Sequence, residues 1–142
     1  MALLEELNVY VAVLDIDNFK QINDTFGHRA GDSVIIEVAR QIKFSSVGDD
    51  FPSRYGGEEF GIITLGTSEE DMIEKVENIR ISIADTSFRE LKGRHVTISI
   101  GVQKLLPGMN KEELFKGADT ALYTAKRTGK NKTVINNIPN IN

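Results

Sequence analysis

The chain has 142 residues, of which 40% are hydrophobic and 27% charged, with a formal net charge of −4. That length and balance fit one globular domain with a core of its own. The lack of cysteine excludes a disulfide framework and thiolate chemistry, the acidic balance argues against a broad nucleic-acid surface, and no apolar run approaches the roughly 18 residues of a membrane helix.

In chain order, Met1–Leu7 (MALLEEL) reads as a helical remnant at the domain edge. Its two glutamates and lack of a basic residue are unlike a signal peptide, so a cytoplasmic location is expected. From Val9 to Leu14 the chain is apolar at every position except Tyr10, the pattern of a central strand covered on both faces. It runs into Asp15-Ile16-Asp17, and a carboxylate at the end of a buried strand is costly unless paired or bound to metal. Asn18–Phe26 predicts a short helix carrying Phe19, Ile22 and Phe26, with Gly27 as its terminator. Asp32 is expected to start a second helix as its N-cap, with Val34, Ile35, Val38 and Ile42 on the apolar stripe. Lys43–Ser53 is expected to be a connection in which Asp50 is a solvated loop charge.

Next comes Arg54–Phe60, RYGGEEF. Strand-like residues lead in over Phe51–Tyr55 and out over Phe60–Leu65, so Gly56-Gly57 reads as a two-residue hairpin turn. Glu58 and Glu59 then stand where a strand favours β-branched residues. They are either solubilising charges at an exposed tip or are held there by function. With Asp15 and Asp17 they are candidate carboxylates on two elements. Two of them converging to about 4 Å would repel by about 4 kcal/mol at an effective dielectric of roughly 20. A divalent cation compensates such repulsion, and oxygen donors without cysteine favour Mg²⁺ or Mn²⁺ over Zn²⁺.

Ser68–Ala84 predicts an amphipathic helix, with Ser68 and Asp71 as a capping box and Met72, Val76, Ile79 and Ile83 as its stripe. Arg94–Lys104 predicts a strand with one face in the core, since Val96, Ile98, Ile100 and Val102 alternate with Thr97, Ser99 and Gly101. Asn110 and Glu113 open a last helix as a capping box. Leu114, Ala118, Ala121, Leu122 and Ala125 face inward, and Gly129 closes the helix. Lys126 and Lys130 lie around its C-terminal end, where the helix dipole favours cations. Thr133–Asn136 is expected as an edge strand, and 137–142 as a flexible tail. Strands alternating with helices indicate an α/β or α+β domain built on a central sheet.

Four stretches carry a resemblance: D-I-D-x-F-K-x-x-N-D-x-x-G-H-x-x-G-D from Asp15 to Asp32, GGEEF from Gly56, VTISIGV from Val96 to Val102, and ADTALYTAK from Ala118 to Lys126. In order and spacing they resemble the GGDEF domain of diguanylate cyclases, over about Val9 to Val134. The resemblance implies an α+β fold with a mainly antiparallel five-stranded central sheet surrounded by helices, similar to nucleotide-cyclase and polymerase-palm domains. It implies condensation of two GTP into cyclic di-GMP with release of two pyrophosphates. A homodimer, Mg²⁺ or Mn²⁺, and an upstream sensory or receiver domain would serve the reaction, with no nucleic-acid or membrane contact. Carried onto this sequence, Asp15, Glu58 and the Ile16 carbonyl become metal ligands, with Glu59 as a further one. Glu58 and Glu59 become the catalytic pair, Glu58 assisting deprotonation of the attacking 3′-hydroxyl. Asn23 and Asp32 would bind the guanine edge, with His28 near the nucleotide. Lys20, Lys126 and Lys130 would serve the phosphates, and Gly56 and Gly57 would let the backbone approach the ligand.

This sequence departs from the family pattern in three places. It has no D-x-L-T-G-L-x-N-R segment near its start. Lys130 stands where a G-R-N triplet has arginine, keeping charge but losing bidentate geometry. Val47 replaces the arginine of the inhibitory R-x-x-D whose aspartate is Asp50, so product inhibition through that site is not expected. The alternative reading is a catalytically silent domain of the same fold that binds GTP or a protein partner.

Overall fold

The apolar run near the N-terminus forms β1 (Val9–Ile16), the central strand of a five-stranded sheet. The structure is a computed structural model that describes residues 8–54 and 56–136. The helical remnant expected at Met1–Leu7 and the flexible tail expected at 137–142 lie outside the described residues. After β1 come α1 (Phe19–Phe26), α2 (His28–Ser45), β2 (Phe51–Arg54), β3 (Glu59–Leu65) and α3 (Glu69–Ala84). A 3₁₀ turn at Arg89–Leu91 then leads to β4 (Ile98–Lys104), α4 (Lys111–Arg127) and β5 (Thr133–Ile135). The sheet order is β2-β3-β1-β4-β5, and every pairing is antiparallel except β4 with β5. The fold is therefore α+β on a mostly antiparallel sheet.

The period of two in β1 divides the core. Tyr10, Ala12, Leu14 and Ile16 point to one face, where they join Phe60, Ile62, Ile98, Ile100 and the apolar stripes of α2 and α3. Val11 and Val13 point to the other face, under Leu114, Ala118 and Leu122 of α4. A strand flanked by strands and covered on both sides leaves no solvent face for polar residues. The polar groups at its C-terminal end are thus the exception that chemistry must explain. Among the described residues, no helix is long and apolar enough to cross a membrane.

Four local expectations are corrected. The strand from VTISIGV begins at Ile98 rather than Arg94, and it is buried on both faces. Helix α4 lies against the side carrying Ser99 and Gly101, so close that a Cβ on Gly101 would stand 2.1 Å from the Ala118 carbonyl oxygen. The second helix begins at His28, not Asp32. Gly27, at φ 94°, turns the chain directly from α1 into α2, which leaves Asp32 inside the helix with no capping role. The β2–β3 ladder ends with Arg54 opposite Phe60, a longer connection than the expected two-residue turn. Asp50, expected as a solvated charge, has a side chain only 6% exposed and pairs with Lys75 at 2.9 Å. It also accepts a hydrogen bond from the Val47 amide, because α3 packs beside this connection.

Candidate active site

Antiparallel pairing of β1 with β3 sets Asp15 directly opposite Glu59, and the Ile16 amide donates to the Glu58 carbonyl oxygen at 3.3 Å. Like charges facing each other across a ladder are destabilising. Burial pushes the Asp15 carboxyl up to about 6; Glu58 and Glu59 push the same way, and Lys126 opposes them. Asp15 Oδ1 is buried without a hydrogen-bond partner, an arrangement that costs about 1–3 kcal/mol. The glycine loop is held from β2: Arg54 donates through Nη2 to the Gly57 carbonyl oxygen at 3.0 Å and through Nε to that of Gly56 at 3.3 Å. A Cβ on Gly56 would meet the Glu59 Cβ at 3.0 Å, whereas around Gly57 the space is open. Gly56 thus lets Glu59 fold back, and the Gly57 backbone is open to a ligand.

Hard oxygen donors, an unpartnered buried carboxylate oxygen and mutual repulsion fit a divalent cation. Even so, among the described residues no group of three or more acidic or histidine side chains is drawn into a geometry that would hold one.

On the α4 side of β1, Asp17 is a hub. Its side chain, 1% exposed, receives Lys126 Nζ at 2.8 Å and the hydroxyls of Ser99 and Thr97 at 2.7 Å each. The Asn131 amide adds a bond at 3.1 Å. Burial opposes ionisation of Asp17, but these bonds and the Lys126 charge outweigh it and hold the carboxyl below its ordinary value. Lys126 also reaches the Ile16 carbonyl oxygen at 3.3 Å and Asp15 Oδ2 at 3.5 Å. The lysine assigned to phosphates therefore already serves two aspartates. Lys130 makes no ion pair among the described residues.

The remaining expected residues lie on α1 and α2. A Cβ on Gly31 would stand 1.9 Å from Asn23 Oδ1, so the absent side chain is what admits Asn23 between the helices. Asn23 Oδ1 is buried and has no hydrogen-bond partner. His28 and Asp32 are exposed on α2. Lys20 is exposed and pairs with Asp24 at 3.1 Å along α1. Among the described residues, buried side-chain oxygens without a partner belong to Asp15, Asn23 and Gln41. Two of the three are thus on residues singled out from the sequence, where a ligand would supply the missing partner.

Residues 2–132 match the family model described as diguanylate cyclase, GGDEF domain. The chain belongs to the GGDEF family. Among curated relatives, this GGDEF domain is 42% identical over 130 residues to the response regulator PleD of Caulobacter vibrioides, covering 89% of this chain and 29% of that protein. It is 41% identical over 133 residues to diguanylate cyclase A of Treponema denticola, covering 91% and 36%. The chain thus spans about a third of the length of these relatives. Among solved structures, the active GGEEF domain of a diguanylate cyclase from Vibrio cholerae superposes with a TM-score of 0.89 at 34% identity, covering 97% of this chain and 88% of that one. The GGDEF domain of DgcB from Caulobacter crescentus, in complex with c-di-GMP, superposes with a TM-score of 0.87 at 35% identity, covering 92% and 79%.

Three participants in this GGDEF domain's site escaped the sequence reading of roles. Asp17 is one of the candidate carboxylates, yet it is saturated by donors from β4, from α4 and from the segments beside them. Its signal was the pair Thr97 and Ser99, polar positions flanking Ile98 at the start of β4. Arg54 was read only as part of the hairpin motif, and its grip on both glycine carbonyls had no sequence signal. Asn131 was read only as part of a triplet; nothing in the sequence linked it to Asp17.

Proposed function

We propose that the domain is a diguanylate cyclase that condenses two GTP into cyclic di-GMP. The 3′-hydroxyl oxygen of each GTP bonds to the α-phosphorus of the other, each α–β bridge breaks, and two pyrophosphates leave with the two hydroxyl protons passing to base or solvent. The observation that carries this reading is Asp15. Its buried, unpartnered oxygen and raised pKa sit beside Glu58 and Glu59, where β1 and β3 end together. Family membership supports the same reaction class.

Asp15, Glu58 and the Ile16 carbonyl would hold Mg²⁺ or Mn²⁺, with Glu59 as a further ligand. When bound, the cation lowers the pKa of a coordinated hydroxyl and neutralises phosphate charge. The rest falls to the chain, and it is mostly positioning, as in phosphoryl transfer generally. Asn23 and Asp32 accept from the guanine N–H groups, with His28 beside the nucleotide. Gly57 leaves its backbone open to the ligand, Lys130 and Lys20 face phosphate charge, and Glu58 takes up the 3′-hydroxyl proton. Lys126 holds Asp15 and Asp17 in register. One domain holds one GTP, so two copies face each other across a two-fold axis. An upstream sensory or receiver module would control that pairing.

The test is incubation of wild type and Glu58→Ala with GTP and Mg²⁺ at several protein concentrations, with chromatographic separation of products. Cyclic di-GMP from wild type alone, at a rate rising faster than linearly with protein, is expected. GTP binding without product would support the silent-domain reading instead, and neither binding nor product would overturn the nucleotide assignment.

A further inference from the structure

After α4 the chain makes a costly turn. Gly129 has φ 122°, and Lys130 and Asn131 follow at φ 61° and 50°. Two consecutive residues with side chains in the left-handed region persist only where their surroundings hold them. One hold is Asp17, which receives the Asn131 amide at 3.1 Å, with Ser99 Oγ at 3.2 Å from the same amide. The other comes from α3, outside the four stretches that carry the family resemblance. Arg80 on α3 donates through Nη1 to Asn131 Oδ1 at 2.8 Å and to its carbonyl oxygen at 3.3 Å. The guanidinium is itself fixed by Glu77, which takes Nε at 2.8 Å and Nη2 at 2.7 Å. Glu77 in turn receives the Thr133 hydroxyl at 2.6 Å, tying α3 to β5 on the far side of the turn.

Lys130 directly precedes the anchored Asn131, and its own amide donates to the Ala125 carbonyl oxygen at 2.9 Å. Its importance follows from charge: Lys126 is already paired with Asp15 and Asp17, and Lys20 lies on α1 in an exposed pair with Asp24. Lys130, in the turn next to the amide that binds Asp17, makes no ion pair among the described residues. We infer that Arg80 is a positioning residue for the triphosphate: by clamping Asn131 it holds the left-handed turn that aims Lys130 at the nucleotide's phosphates. This rests on the reading that the domain binds GTP.

The test compares wild type with Arg80→Met, Asn131→Ala, Lys130→Met and the Arg80→Met/Lys130→Met double variant. Binding of GTP and of GMP is measured by calorimetry. Exchange of the Asn131 amide, or of its neighbours in the Asn131→Ala variant, is followed without nucleotide. Arg80→Met and Asn131→Ala are expected to weaken GTP about tenfold and GMP less than twofold. The double variant should lose no more than Lys130→Met alone, because coupled residues are not additive. The Asn131 amide should exchange at least tenfold faster in Arg80→Met, while β1 amides stay protected. Equal losses for GTP and GMP, additive losses, or unchanged exchange would each overturn the clamp. A wild-type domain that binds no GTP would overturn the nucleotide reading on which the inference rests. The exchange result, which needs no nucleotide, tells that failure from failure of the clamp.

Discussion

At neutral pH the Asp15 carboxylate is ionised against its burial and against the charges of Glu58 and Glu59, with Lys126 working the other way. Its folded pKa, about 6, lies above the ordinary 3.8. The sign follows from linkage: a raised carboxyl pKa stabilises the fold fully below the unfolded value, and that contribution is lost as pH rises through the folded value. A shift of this size corresponds to about 3 kcal/mol. Asp15→Asn cannot ionise, so without divalent cations its stability should gain on wild type between pH 4 and pH 8, by up to about 3 kcal/mol. Urea unfolding at several pH values measures this, and a difference that does not change with pH would contradict it. Mg²⁺ or Mn²⁺ should narrow the gap at pH 8 by stabilising wild type alone.

Two glycines separate the packing of elements from the shaping of the site. Gly101 lies where β4 meets α4, and an added Cβ would strike backbone atoms, the Ala118 carbonyl oxygen at 2.1 Å and the Leu122 nitrogen at 2.3 Å. Backbone cannot yield without moving the helix, so Gly101→Ala should cost about 3 kcal/mol or more in a thermal or urea melt. Gly31 lies where α2 meets α1, and there the obstacle is the end of the Asn23 side chain, 1.9 Å away. A side chain can swing aside, and Asn23 Oδ1 makes no internal hydrogen bond that would be lost. Gly31→Ala should therefore cost less than about 1 kcal/mol in stability while lowering GTP affinity about tenfold. Comparable unfolding of both variants would contradict this packing contrast, and full GTP affinity in Gly31→Ala would contradict the assignment of Asn23 to the ligand.

For the molecule as a whole, the connection between α2 and β2 carries the remnant of the R-x-x-D pattern. Asp50, the remaining half of the R-x-x-D pattern, is neutralised internally by Lys75, whose Nζ also donates to the Ser45 carbonyl oxygen at 2.8 Å. Val47 offers no charge to a phosphate and is itself exposed. Asp50 is thus already neutralised by an ion pair within the chain. Added cyclic di-GMP, at concentrations well above the product formed, should leave the initial rate of the wild-type reaction unchanged. Inhibition relieved by Val47→Asp would point to a product site here after all.

Most elements and two of the helix caps were legible because they depend on near neighbours, whereas Asp32, expected as a cap, lies inside α2. Asn110 and Glu113 form the reciprocal capping box their spacing indicates, and Ser68 accepts from the Asp71 amide. The apolar run of β1 announced a strand buried on both faces, and the GGEEF and D-I-D motifs lie where the ends of β1 and β3 meet. What the sequence hid depends on contacts between residues far apart in the chain. Asp17 is satisfied by residues about 80 to 114 positions away, so its structural role could not be told from that of Asp15. The second buried face of β4 exists because α4 packs on it, and Asp50 is shielded because Lys75 arrives from another helix. Spacing along a chain encodes helix faces, strand faces and caps. Which carboxylate is neutralised and which is left for a ligand is an energy set by burial and by charges brought together only when the sheet closes.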